Sequence, residues 1–200
     1  NNLYRLNKKD ETLLTEQDLI YGLRNAEVLA FKGFVFRFQH KVFITVLGLL
    51  QHHTDAEDIA QEVFIQVYRS INNFKAEASL ATWIYRITVT KSLDHLRSKK
   101  RKKRFGFITS LFGDTGKPVV DVADFNHPGV QLDKKEDAII LFRLITELPE
   151  TQQAAFILNK VEDLSYREIA AILNTTEPAV DALLQRAKQN LRKKINQLPL

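Results

Sequence analysis

Cysteine is absent from this 200-residue chain, which excludes disulfides and thiolate metal sites together. Methionine is absent as well, and tryptophan occurs once, at Trp83. No apolar run approaches the roughly 20 residues that a bilayer-spanning helix needs. The opening stretch, Asn1 to Lys9, lacks the apolar core of a signal peptide. These absences predict a protein of the cytoplasm with no direct insertion into a membrane. Glycine is scarce and unevenly placed, with four of the seven between residues 105 and 135.

What is present is ordinary in amount: 44% hydrophobic and 26% charged residues, typical of a globular protein. Two hundred residues allow one or two small domains, each with a modest core. The net charge is only +5, but its placement says more than its total.

The stretch from Asp55 to Arg104 reads DAEDIAQEVFIQVYRSINNFKAEASLATWIYRITVTKSLDHLRSKKRKKR and passes from an acidic end to a basic one. In its first part Ile59, Val63, Phe64, Val67, Tyr68 and Ile71 recur at helical spacing and predict an apolar stripe. The opposite face carries Asp55, Asp58, Gln61 and Glu62, with Ile65 as a lone apolar residue among them. After a break at 72–78, Ser79 is a candidate N-cap for a second helix. That helix is apolar on two sides, Leu80, Trp83, Ile84 and Ile87 on one and Val89, Leu93 and Leu96 on another. Such a helix is wedged between neighbours. Arg86, Thr90 and Arg97 form a row between the stripes, roughly 16 Å long at helical rise. The row leads into six consecutive cations, Lys99 to Arg104, and from Lys91 onward eight basic residues face one acid, Asp94. That density favours a polyanion, although a basic run alone is as often a solvated tail.

Before this stretch, residues 10–30 predict a helix with Thr15 as N-cap and Asp18 three places on, a capping box. A second helix runs from about Leu29 to Leu50 with Phe31, Phe34, Phe38 and Phe43 at core spacing. After it, residues 105–135 lose all periodicity and read as a linker, too apolar at Phe105, Phe107, Ile108, Leu111 and Phe112 to be an inert tether, and suited to a groove on a partner. Helices follow over 136–147 and from Thr151 to Val161, the second introduced by Pro149. Ser165 and Glu168 form a second capping box ahead of Tyr166–Leu173. A turn at 174–177 precedes Pro178 and a last helix rich in Lys and Arg. Ile169, Ala170, Leu173, Val180 and Leu184 are spaced as the inner contacts of a helix-turn-helix.

Two blocks carry a family resemblance. DAEDIAQEVFIQVYRSINNF, ASLATWIYRI and LDHLRSKKRKKR, in that order, resemble region 2 of a bacterial RNA polymerase sigma factor of the extracytoplasmic-function group of the sigma-70 family. LPETQQAAFILNKVEDLSYREIAAILNTTEPAVDALLQRAKQNLRKKI resembles region 4 of the same family. The resemblance implies an all-α fold of two small helical domains, residues 1–104 and 136–200, joined by a linker over 105–135. It implies a transcription initiation factor with core RNA polymerase (the largest-subunit clamp and the flap), promoter DNA and an anti-sigma factor as partners. Asp55, Asp58, Gln61, Glu62, Ile65 and Gln66 would bind the polymerase. Phe74, Trp83, Tyr85, Arg86, Thr90, Lys91, Arg97, Lys99, Lys100 and Arg101 would recognise and help open the −10 element, with the aromatic residues offering stacking surfaces for unstacked bases. Thr176, Glu177, Asp181, Gln185, Arg186, Lys188 and Arg192 would read the −35 element. The chain departs from the family pattern at Thr90, where relatives often have Asn, and at Asp181 and Leu183, often basic in relatives.

Two other readings compete with this one. His52, His53, Asp55, Glu57 and Asp58 are suitable metal-ligand types, but adjacent histidines cannot share a helical face. No second carboxylate cluster completes a two-metal centre. An enzyme, a metal and a cofactor are therefore not expected. The helix-turn-helix could serve an autonomous regulator, yet such a protein has no need of an acidic helix joined to an aromatic and basic one.

Overall fold

The computed structural model describes residues 14–112 and 135–198, and among them every regular element is a helix. Helix α1 spans Glu16–Arg24, α2 Val28–Leu50, α3 His53–Ser70 and α4 Leu80–Phe112, with a 3-10 turn at Ile71–Asn73 between the last two. Then come α5 (Lys135–Thr146), α6 (Glu150–Lys160), α7 (Tyr166–Leu173) and α8 (Glu177–Ile195). The two capping boxes form as expected: Thr15 and Asp18 close the start of α1, Ser165 and Glu168 that of α7.

Three expectations need correction. Helix α4 does not end near Arg104 but continues to Phe112. Lys and Arg are good helix formers, so the basic run sustains the helix rather than ending it. Residues 113–134, the rest of the expected linker, lie outside the described residues. Tyr68, placed by its spacing in the buried stripe, is 44% exposed and leans edge-on against Phe31 at 5.4 Å between ring centroids. Helix α2, finally, is long and apolar enough by composition to cross a membrane, although polar residues interrupt every run. Some 61% of its most apolar window is buried inside the protein.

The apolar side chains gather in two cores. The first joins α1, α2 and α3 to the start of α4, through Leu19, Phe34, Phe38, Val46, Val63, Val67, Leu80 and Ile84. The second is built from α5 to α8, through Ile145, Ile157, Leu158, Ile169, Val180 and Leu184, and it also takes in Leu49 of α2 and Tyr85, Val89 and Leu93 of α4. The two-sided pattern of α4 is thus divided between two cores. Where these nearly meet, Thr88 and Ser92 are fully buried, and their hydroxyls donate to the carbonyls of Ile84 and Thr88 one turn back. Each hydroxyl is satisfied within the helix and needs no partner from either core.

Candidate nucleic-acid and polymerase interfaces

On α3 the buried stripe turns Asp58, Gln61, Glu62, Ile65 and Gln66 outward, all exposed. Two apolar grooves flank this face. One, of about 520 Å³, lies between α2 and α3 and includes Val35, Phe43, Gln61 and Phe64. The other, of about 490 Å³, includes Val28, Phe31, Ile65 and Tyr68. Asp55 sits apart from the face. Its carboxylate faces inward to Lys99 Nζ at 3.0 Å, His95 Nε2 at 3.2 Å and His52 Nδ1 at 3.3 Å. Burial alone would raise its pKa, but the hydrogen bonds from Lys99 and His95 outweigh burial and hold it below the ordinary value. His52, read from sequence only as a weak metal candidate, caps α3 by accepting from the Asp55 amide.

The loop between the 3-10 turn and α4 encloses a small polar cavity of about 160 Å³, lined by Asn73, Phe74, Lys75, Glu77, Trp83 and Arg86 among others. Phe74 is buried and its ring packs against Trp83, with centroids 5.1 Å apart. Trp83 is half-buried and borders the cavity. Two residues of α1 that carried no signal in the sequence position this loop. Arg24 donates to the Phe74 carbonyl at 2.6 Å, and Glu16 accepts from the Leu80 amide at 2.9 Å, which satisfies one of the unpaired amides at the start of α4. Ser79 Oγ accepts from the Thr82 amide, as its role as N-cap requires.

Further along α4 the candidate DNA-contacting residues do not all face solvent. Tyr85 is buried in the second core and donates its hydroxyl to Glu162 at 2.6 Å. Burial, with Glu162 beside it, pushes the phenol pKa up, so the group remains a donor. Tyr85 therefore presents no stacking face here, because the C-terminal helices cover it. Arg86 donates to the Ala171 carbonyl at 2.7 Å, and Arg97 to Glu150 at 2.7 Å and Asp94 at 3.1 Å. Lys91 pairs with Glu62 at 2.9 Å. Thr90, Lys100 and Arg101 are exposed. The expected row of Arg86, Thr90 and Arg97 thus exists, but two of its three members are held by the C-terminal unit.

In that unit α7 and α8 make the helix-turn-helix. Asn174 takes a left-handed conformation (φ 51°) to end α7, and Thr176 Oγ1 accepts from the Ala179 amide to start α8. Val180, Leu184, Ala187 and Leu191 face inward. Thr176, Glu177, Gln185, Arg186, Lys188 and Arg192 are exposed, Asp181 is half-buried, and Gln185 donates to Asp181 at 2.8 Å. Among the described residues no group of three or more His, Asp or Glu is placed to hold a metal ion.

Two family models match the chain: Sigma-70 region 2 over residues 32–102, and Sigma-70, region 4 over residues 138–191. The chain is 29% identical over 185 residues to the ECF RNA polymerase sigma-E factor of Escherichia coli, which covers 92% of this chain and 96% of that protein. It is 26% identical over 183 residues to the RNA polymerase sigma-H factor of Pseudomonas aeruginosa, covering 92% and 95%. Among solved structures it resembles CnrH in complex with the cytosolic domain of CnrY, with a TM-score of 0.63 and 16% identity over 90% of this chain and 97% of that one. It also resembles the sigma factor RpoE in complex with the anti-sigma factor NepR from Bartonella quintana, with a TM-score of 0.57 and 19% identity over 86% and 100%.

Proposed function

The chain belongs to the extracytoplasmic-function group of the sigma-70 family, transcription initiation factors that direct RNA polymerase to promoters, and on that premise we propose how its surfaces divide the work. Synthesis of RNA is the polymerase's chemistry, and this chain has no enzymatic role of its own. The single observation that carries the reading is the order of surfaces in one polypeptide: an acidic exposed face on α3, an aromatic-lined cavity before α4, a basic extension of α4, and a helix-turn-helix.

The α3 face docks the clamp of the polymerase largest subunit through Asp58, Gln61, Glu62, Ile65 and Gln66. An acidic row bordered by two apolar grooves suits a protein partner better than solvent, since charge sets orientation while apolar contact supplies affinity. Asp55 supports this face from behind. The cavity beside Phe74 and Trp83 takes an unstacked base of the −10 element, and Arg86, Thr90, Lys91 and the cations from Arg97 to Arg101 follow the phosphates. Capture of a base on an aromatic surface offsets the stacking lost when the duplex opens. Helix α8 enters the major groove of the −35 element. Residues at its start, Thr176, Glu177 and Asp181, lie nearest the base edges with Gln185 and Arg186, and Lys188 and Arg192 hold the backbone. The helices α1 to α4 and α5 to α8 then act as the two promoter-reading units, and the flap supports the second. A factor of this kind works in the bacterial cytoplasm. Complexes with CnrY and NepR formed by proteins of the same fold support an anti-sigma factor as a further partner.

The test is transcription in vitro with purified core polymerase on a library of randomised promoters. Initiation from a defined set of sequences, dependent on this chain, is the expected result. Footprinting of a specific duplex by the chain alone, with no effect on polymerase, would replace this reading by an autonomous regulator.

A further inference from the structure

The loop that closes the −10 cavity is tied to α1 at both of its ends. At its start the Phe74 carbonyl accepts from Arg24, in the last turn of α1, at 2.6 Å. At its end the Leu80 amide, the first of α4, donates at 2.9 Å to Glu16, the first residue of α1. Helix α1 is itself held firmly: Thr15 and Asp18 cap its start, and Leu19 and Leu23 are buried in the first core. At Gly22 an added Cβ would collide with the Cβ of Ala30, so only glycine lets α1 lie this close to α2. Between the two ties Ala76 has a left-handed backbone (φ 57°), which a residue with a side chain keeps only where its surroundings impose it. Both ties take main-chain groups and leave the side chains of Lys75 and Glu77 to line the cavity with Trp83. Neither Glu16 nor Arg24 lies within 32–102, the stretch that the region 2 model matches.

We infer that Glu16 and Arg24 are positioning residues for base capture: by tying both ends of the 74–79 loop to one helix, they hold the cavity beside Phe74 and Trp83 in its receptive shape before DNA arrives. The inference rests on the reading of that cavity as the pocket for an unstacked −10 base. It adds two residues that touch no DNA yet govern how often the pocket is ready. The walls of the pocket belong to the two tied points. Phe74 forms one, and α4, whose first amide Glu16 holds, carries Trp83 and Arg86 on the other. Loss of either tie lets one wall move against the other. A site that is competent in only a fraction of molecules binds more weakly by that fraction. A captured base must then also bear the cost of ordering the loop.

Three variants test this in holoenzyme assembled with core polymerase. Glu16→Ala and Arg24→Ala each remove one tie, and Glu16→Gln keeps an oxygen for the Leu80 amide. Neither side chain is buried in a core, and circular dichroism of each variant shows whether the helices persist. The probe is a fluorescein-labelled promoter fork with a duplex −35 element and a single-stranded −10 element, read by anisotropy. A matched set of forks carries one abasic site at each −10 position in turn, and the position whose loss weakens the parent marks the captured base. On the intact fork the two Ala variants should bind about tenfold more weakly than the parent, while Glu16→Gln binds as the parent does. On the fork abasic at the captured position, parent and Ala variants should bind alike, because two changes that act through one contact are not additive. A merely structural role predicts the opposite. Ala variants that weaken the intact and abasic forks by the same factor overturn the inference, as do Ala variants that bind both forks like the parent. Either result leaves the base-pocket reading standing. A parent holoenzyme indifferent to abasic sites at every −10 position defeats that reading, and the inference with it.

Discussion

Asp55 and Glu62 are both acids of α3 paired with lysines of α4, yet their surroundings give them different parts. The Asp55 side chain is only 22% exposed and meets Lys99, His95 and His52, whereas Glu62 is 56% exposed and meets Lys91. An exposed pair contributes roughly 0–1 kcal/mol, so Glu62 is free to serve a partner at little cost to the fold. Asp58→Arg and Glu62→Arg should each weaken binding to core polymerase by a few kcal/mol if the contact is desolvated. Titration calorimetry with core polymerase checks this, with circular dichroism to show that the helices persist. Asp55→Asn should instead act on stability, costing about 1 kcal/mol at neutral pH. Hydrogen bonds hold the carboxyl below its ordinary 3.8. A carboxylate depressed in the folded state contributes fully above its unfolded pKa, and the contribution fades as pH falls through the folded one. The gap between parent and Asp55→Asn in urea unfolding should therefore close below pH 3.8.

At the scale of elements, α4 was the most legible part of the sequence, because its two stripes differ in phase. Leu80 and Ile84 enter one core and Val89 and Leu93 the other, as a wedged helix requires. Both capping boxes were equally plain, since a hydroxyl and a carboxylate three residues apart suffice to mark a start. The cap on α3 was not plain, because an imidazole in that place reads first as a metal ligand. Nor was the cover on Tyr85, since Glu162 lies 77 residues away in sequence and no local period reports such a contact. Arg24 and Glu16 were missed for the same reason: each reaches the loop before α4 from α1, 50 and 64 residues distant. The basic run is part of α4, so Lys99 to Lys102 project from a helix. Replacing Lys99 to Lys102 by Ala should lower promoter affinity of the holoenzyme and reduce the salt slope by about 0.9 for each duplex phosphate that is no longer neutralised. Filter binding across a salt series measures it, and an unchanged slope would mark the run as solvated.

On the scale of the whole molecule, the sequence divides more cleanly than the packing does. Composition and resemblance both separate an N-terminal from a C-terminal unit, yet Tyr85, Val89 and Leu93 of the first lie buried in the core of the second. Burying one large apolar side chain contributes roughly 1.5–3 kcal/mol. A fragment starting at Lys135 should therefore be less stable than the same helices in the intact chain by roughly 4.5–9 kcal/mol, as measured by hydrogen exchange of the α6 and α8 amides in each. Gly48 gives this sharing a consequence for recombination. A hybrid that takes its N-terminal half from this chain and its other half from a cousin inherits a glycine notch on α2, where a Cβ at Gly48 would stand 3.1 Å from the Ile157 side chain. Any bulkier or differently placed residue in the cousin leaves the notch unfilled or blocked. Halves that look interchangeable by their promoter chemistry are then matched pairs, and exchange between them succeeds only where notch and ridge travel together.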